Sequence, residues 1–280
     1  MIVFPYCKIN LGLNIVGVRP NGYHDIESVF LPVGMHDVLE IAFPAGQTEE
    51  YVLTTSGNPV AVPPEKNLCV KALRALKKEV DVPPVLIHLH KVIPDGAGLG
   101  GGSSDAAFVI KTINSMLNLG LSDDKLRSIA ASVGADCPFF ISGRPTYVTG
   151  IGDVFGEVDC SALEGKVVVL AVPQGAVSTA EAYANMIPAK PEVPITSAVF
   201  ADPAEWKSTV HNDFEPYVIS QLADVAMYKD IMYQCGAVYA QMSGSGSSVF
   251  GIFHGDAENL PEEKDFPGAR GFWCGRLNLE

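Results

Sequence analysis

The sequence has little that would take it to a membrane or to a nucleic acid. No run approaches the roughly 18 apolar residues that a bilayer span requires. The apolar start is interrupted by Pro5 and by Lys8-Ile9-Asn10, with neither a basic leader nor a small-residue cleavage site, so a signal peptide is not expected. Basic residues are scarce: 19 lysines and arginines stand against 32 acids, a net charge of −13. Nucleic-acid binding needs a basic face, which this balance does not supply. Cysteine pairs are missing too. The six cysteines, at 7, 69, 137, 160, 235 and 274, form no Cys-x-x-Cys and have no histidine at zinc spacing, so they read as reduced, mostly buried thiols. Together these absences predict a cytoplasmic protein with small-molecule partners and neither nucleic acid nor membrane among them. Its 280 residues suffice for one large domain or two ordinary ones, and 48% hydrophobic content is that of a globular chain.

What the sequence does have is glycine in one place. Of the seven residues from Gly96 to Gly102, five are glycine: Gly96, Gly98, Gly100, Gly101 and Gly102. Without Cβ atoms such a segment can turn tightly and aim consecutive N–H groups into one hollow, where an anion is held. Ser103-Ser104-Asp105 follow, and apolar residues then recur at 106, 109, 110, 113, 116 and 117 as an amphipathic helix requires. The loop thus feeds a helix N-terminus, where unpaired N–H groups and the helix dipole favour phosphate, and the serine hydroxyls can add donors or reach a metal ion. Gly96-x-Gly98-x-x-Gly101 formally matches a dinucleotide fingerprint, but the acids at Asp123 and Asp124 follow Ser122 at the start of a helical pattern rather than ending a strand. A Walker loop fails as well, since Gly101 is followed by Gly102-Ser103 and not by Lys-Ser/Thr.

Elsewhere the pattern alternates between strands and helices. Residues 2–17 read as extended, with Lys8, Asn10 and Asn14 on one face and Ile9, Leu11 and Leu13 on the other; Lys8 and Asn10 are either a solvated edge or a site. Pro20-Asn21-Gly22 is turn chemistry, after which Tyr23 and His24 enter a strand, 26–31. Further strands are predicted at 38–43, 51–55 and 85–91, with Asn67 capping a helix over 68–80. His88 and His90 share a strand face, either as a surface pair or as two metal ligands. Past a helix over 122–133, Asp136 lies in a loop that Pro138 biases toward extended backbone at Cys137. There it either makes a turn or serves as a rigidly mounted carboxylate able to deprotonate a hydroxyl.

The glycine-rich stretch 143–159 suits a domain junction. Beyond it the pattern predicts a buried strand at 167–172, a capping box at Ser178 and Glu181, one mainly helical segment over 214–235 and a last strand at 271–277. A hairpin is expected around Ser243-Gly244-Ser245-Gly246-Ser247, which holds more glycine and serine than a plain turn needs.

Three segments taken together, Pro5-x-x-Lys8-Ile9-Asn10 with Arg19 to His24, Pro94 to Asp105, and Met242 to Ser248, resemble the GHMP kinases in order and spacing, over most of the chain. Tyr6-Cys7 departs from the small residue that often precedes the lysine there. The resemblance implies an α+β, two-domain fold: an N-terminal ATP-binding domain, 1–158, and a C-terminal ferredoxin-like layer, 159–280, with the site in the cleft between them. It implies ATP and Mg²⁺ as cofactors, the ion carried with ATP and reached by Ser104, and a monomer or weak homodimer. Asp136 would be the general base and Lys8 its cationic partner. Asn10, Tyr23, His24, Phe30, Thr179 and Tyr183 would hold the acceptor, and Gly22-Tyr23-His24 points to a member whose acceptor carries cytidine. Asn67, Lys91, Pro94, Gly96, Ala97, Gly98, Leu99, Gly100, Gly101, Gly102, Ser103 and Ser104 would hold ATP. Homoserine, mevalonate and sugar kinases share the loop without needing Tyr23 and His24. A nucleotide-binding regulator that has lost catalysis would not need both Lys8 and Asp136.

Overall fold

Residues 1–279 are described by a computed structural model. In chain order the strands are β1 (Ile2–Val3), β2 (Tyr6–Val18), β3 (His24–His36), β4 (Val38–Ala42), β5 (Tyr51–Gly57), β6 (Val85–Lys91), β7 (Thr146–Thr149), β8 (Val154–Gly156), β9 (Val167–Val172), β10 (Tyr239–Met242), β11 (Val249–Phe253) and β12 (Gly271–Arg276). The helices are α1 (Leu68–Lys77), α2 (Gly101–Met116), α3 (Asp123–Ala131), α4 (Phe139–Ser142), α5 (Thr179–Ala184), α6 (Ile195–Phe200), α7 (Glu215–Gln221) and α8 (Asp224–Gln234). Contacts divide the chain into two units that interleave along the sequence: Met1–Cys7, Met35–Asp95 and Gly100–Gly143 form the first, and Lys8–Gly34, Gly96–Leu99 and Arg144 onward form the second.

The first unit is a sheet of order β1-β4-β6-β5, antiparallel except for the parallel β5–β6 pair, packed with α1 to α4. Alternation places Val85, Ile87 and Leu89 of β6 inside, and α1 buries Val70, Leu73 and Leu76 toward α2. The α1 start follows from Asn67, whose side chain accepts the Cys69 N–H. Ser122 likewise caps α3 by accepting from Lys125.

The second unit contains an antiparallel sheet of order β10-β11-β9-β12, whose central β9 is buried at every residue. Against it pack α7 and α8, with Phe214, Val218, Val225, Tyr228 and Met232 in one cluster with Leu13 and Ile15 of β2. A further sheet runs β2-β3-β7-β8.

Three local expectations differ. Helix α2 begins at Gly101, not after the serines, so two glycines lie in its first turn; packing of a 16-residue helix offsets their poor propensity. The 214–235 segment is two helices, because Leu222 turns extended and its side chain seats against Gly175. Pro138 is helical at the head of α4, where its missing N–H costs nothing, and the Phe139 and Phe140 N–H groups bond the Asp136 and Cys137 carbonyls. Among the described residues no cysteines are paired and no helix is long and apolar enough to cross a membrane.

Candidate active site

In the second unit, β2 carries Lys8 and Asn10, and neither is a solvated edge: they are 6% and 1% exposed. The Lys8 ammonium donates to Asn10 Oδ1 at 2.6 Å and to the Gly98 carbonyl at 2.9 Å, and stands 4.7 Å from the centre of the Phe30 ring. Gly96–Leu99, the first half of the glycine loop, is held by several bonds of this kind. The Lys8 N–H donates to the Leu99 carbonyl at 3.0 Å, Ser243 Oγ donates to the Gly98 carbonyl at 3.1 Å, and Ser248 Oγ donates to the Ala97 carbonyl at 2.7 Å. Gly98 has φ +76°, and a Cβ there would overlap the Ser243 carbonyl, so both backbone conformation and close approach demand glycine. The serine-glycine loop after β10 therefore grips the first glycine loop.

His24 and Tyr183 come together in the same unit, their rings 4.9 Å apart and tilted 34°, with Tyr183 packed edge-on against Phe214 at 4.8 Å. Burial raises the Tyr183 phenol, which keeps it neutral. Thr179 Oγ1 bonds Ser245 Oγ at 2.8 Å, joining the start of α5 to the serine-glycine loop. Ser178 caps α5, but Glu181 does not close a capping box; its carboxylate accepts from the Tyr217 hydroxyl at 2.9 Å. Tyr23 is 59% exposed.

The first unit holds the remaining predicted residues. Gly100 adopts φ +68° as the N-cap of α2, and the Ser104 N–H makes the bond back to its carbonyl. Helix geometry then leaves the N–H groups of Gly101, Gly102 and Ser103 without intrahelical acceptors, the arrangement by which a helix start favours an anion. Ser104 Oγ is buried and has no hydrogen-bond partner. A Cβ built on Gly134 would lie 3.8 Å from Asp136 Oδ1 and 3.9 Å from Ser103 Oγ, so the half-buried carboxylate and a first-turn hydroxyl of α2 converge on one spot. Beside them, burial and then the Asp136 charge push the Cys137 thiol up to about 12, which leaves it protonated and unsuited to nucleophilic chemistry.

Pro94 is buried, and the Asn67 side chain caps α1. Lys91 is 7% exposed and its ammonium meets two carboxylates, Asp37 and, at 2.9 Å, Asp105. Asp37 also accepts the Val92 and Ile93 N–H groups at 2.6 and 2.8 Å. The triad thus ties the end of β6 and the approach to β4 to the N-terminal part of α2. Burial first, with Asp37 behind it, raises the Asp105 carboxyl against the pull of Lys91, and its Oδ1 has no partner. For Lys91, burial pulls down but the two carboxylates more than offset it, so the ammonium is raised.

Ser28, Asp37, Asp105, Asn212 and Ser243 were not singled out by the sequence reading. Ser243 and Asp105 had a signal, as members of the serine-glycine loop and of the glycine-loop motif. Asn212 Oδ1 accepts the Phe214 N–H at 3.0 Å, and its Nδ2 donates to the Met242 and Gly244 carbonyls at 2.8 and 2.9 Å. His88 and His90 bond Thr54 and Ser56 on the surface of the β5–β6 pair, and the described residues contain no cluster of three His, Cys, Asp or Glu able to hold a metal.

Two family models match: GHMP kinases N terminal domain over residues 67–144 and GHMP kinases C terminal over residues 200–263. The chain is 49% identical over 253 residues to a 4-diphosphocytidyl-2-C-methyl-D-erythritol kinase of Parabacteroides distasonis, covering 90% of this chain and 92% of that one. It is 47% identical over 264 residues to the same kinase of Bacteroides fragilis, with 94% of each covered. A crystal structure of 4-(cytidine 5'-diphospho)-2C-methyl-D-erythritol kinase superposes with TM-score 0.76 at 27% identity, covering 99% of this chain and 98% of the other.

Proposed function

We propose a division of catalytic labour on the premise that this chain belongs to the GHMP kinases and, among them, to the 4-diphosphocytidyl-2-C-methyl-D-erythritol kinases. The reaction is ATP-dependent phosphorylation of the 2-hydroxyl of 4-diphosphocytidyl-2-C-methyl-D-erythritol, giving the 2-phosphate and ADP, in non-mevalonate isoprenoid biosynthesis. Asp136 accepts the hydroxyl proton as the oxygen attacks the γ-phosphorus, and the bond from that phosphorus to the β–γ bridging oxygen breaks to release ADP. Lys8 lowers the hydroxyl's pKa and balances charge as it develops. Phosphoryl transfer asks for positioning and charge stabilisation more than for covalent chemistry. The observation that carries the reading is the buried Lys8 ammonium bonded to the Gly98 carbonyl, a fixed cation attached to the phosphate loop itself.

The N–H groups at the start of α2, with Ser103, receive the nucleotide phosphates. His24 and Tyr183, packed on one another, form an aromatic surface on which the cytosine stacks, assisted by Tyr23, Phe30 and Thr179. The donor chemistry suits Mg²⁺ carried with ATP: Ser104 Oγ is an oxygen without a hydrogen-bond partner, and Mg²⁺ takes oxygen ligands while sharing its shell with phosphates. When bound, that ion neutralises phosphate charge. We assign residues 1–158 to ATP binding and 159–280 to the second GHMP part, in a cytoplasmic enzyme that works as a monomer or weak homodimer.

Steady-state kinetics of Lys8→Met and Asp136→Asn test the assignment. Each variant should lose roughly 10²–10⁴ in kcat, the range of acid–base and charge-stabilising groups, while ATP binding persists. Retention of near wild-type kcat in either variant would refute the role given to that residue.

A further inference from the structure

The hydrogen-bond polarity around Asn10 is set by a residue outside the reacting groups. Ser28 Oγ is fully buried on β3; it lies 2.7 Å from the Gly12 carbonyl and 2.8 Å from Asn10 Nδ2. A carbonyl can only accept, so the single Ser28 proton points at Gly12. The hydroxyl then faces Asn10 with lone pairs alone, and only the NH₂ side of the carboxamide can satisfy it. The orientation of the amide, normally a choice between two flips, is therefore forced: Nδ2 toward Ser28, Oδ1 toward Lys8 at 2.6 Å. The opposite flip would set an NH₂ against an ammonium and a carbonyl against a hydroxyl oxygen. Ser243 closes the other side. Its Oγ accepts the Asn10 N–H at 3.0 Å and gives its proton to the Gly98 carbonyl at 3.1 Å, the nearer of two acceptors, since Asn10 Oδ1 is 3.5 Å away.

We propose that Ser28 is a positioning residue for phosphoryl transfer, which fixes the Asn10 carboxamide so that its oxygen, together with the Gly98 carbonyl, holds the Lys8 ammonium in place. The inference rests on the assignment of Lys8 above and revises the part of Asn10. An Asn10 that is 1% exposed, with both ends of its amide committed inside the protein, serves the lysine and not the acceptor. Ser28 then acts on turnover through two intermediaries, and its loss does not weaken substrate binding.

Kinetics of Ser28→Ala, Ser28→Thr, Asn10→Ala and the double variant with ATP and the cytidyl acceptor test this. Ser28→Ala should lower kcat roughly ten- to a hundredfold, as small misplacements of catalytic groups do, with both KM values nearly unchanged. Ser28→Thr, which keeps donor and acceptor, should restore most of kcat. In the Asn10→Ala background Ser28→Ala should lower kcat no further, because the two act in series. Ser28→Cys, of similar shape but weak in hydrogen bonding, carries the same test where the alanine variant does not fold. Fully additive losses, or an equal loss in the threonine variant, would mean that Ser28 only supports the strand and would overturn the proposal. If Lys8→Met and Asn10→Ala lower kcat while Ser28→Ala does not, this inference alone fails. An unaffected Lys8→Met would remove the reading beneath it.

Discussion

Replacing Lys91 with methionine separates support of the phosphate loop from contact with the nucleotide. The ammonium is buried against Asp37 and Asp105, so Lys91→Met leaves two carboxylates without their cation. Breaking a buried pair costs about 3–5 kcal/mol, because the stranded charge is desolvated and uncompensated. Here two features hold the cost to the low end. Asp105, its carboxyl raised to about 8 by burial, already carries a proton at neutral pH, and Asp37 keeps the Val92 and Ile93 N–H groups at 2.6 and 2.8 Å. The expected loss is about 3 kcal/mol, or about 6–12 °C in apparent Tm for a chain of this size. Since a Cβ on Gly101 would lie 3.3 Å from Lys91 Nζ, the start of α2 also loosens, and the KM for ATP should rise only a few-fold, about threefold at most. Thermal unfolding paired with ATP titration of the same preparation measures both. A Tm within about 2 °C of wild type together with an ATP KM raised about tenfold or more would refute the argument and make Lys91 a nucleotide ligand.

Asp105 gives the stability a definite pH dependence. Its carboxyl is raised by burial from 3.8 to about 8, so the folded chain holds this proton more tightly than the unfolded one; the resulting stability is complete below pH 3.8 and is lost as pH rises through about 8. Asp105→Asn should remove that part of the decline, seen as a flatter plot of denaturation midpoint from pH 5 to about 8; parallel plots for the two proteins would contradict it. Tyr183→Leu should raise the KM for the cytidyl acceptor about tenfold, from the loss of one stacked aromatic face, and leave the KM for ATP alone. An effect of equal size on both substrates would argue against a base pocket at His24 and Tyr183.

The elements that were legible in the sequence are those with a local cause. Asn67 and Ser122 announce their helices because a cap is made within three residues, and the 2.0 period of Val85, Ile87 and Leu89 is a property of one strand. The glycine loop stood out in the sequence because the features that set it apart, missing Cβ atoms and a helix start, are local. The break at Leu222 was not, since it depends on a glycine 47 positions away in the chain, Gly175. The burial of Lys8 and Asn10 was hidden for the same reason: their partners Gly98 and Ser243 lie 90 and 233 residues along the chain. Ser28 could not have been chosen over any other strand serine until its two hydrogen bonds were in view. The partners of Lys91 were hidden likewise: Asp37 and Asp105 lie 54 and 14 residues away and meet its ammonium only in the fold.

The central claim is that a fixed lysine and a carboxylate phosphorylate a cytidine-bearing alcohol. It is tested most directly by incubating the protein with Mg-ATP and, separately, the cytidyl-methylerythritol compound, homoserine, mevalonate and galactose, with product followed by mass spectrometry and Asp136→Asn run alongside. The account predicts a phosphorylated product from the cytidyl compound alone, greatly reduced in the variant. Product from another acceptor, or none from any while ATP still binds, would contradict it.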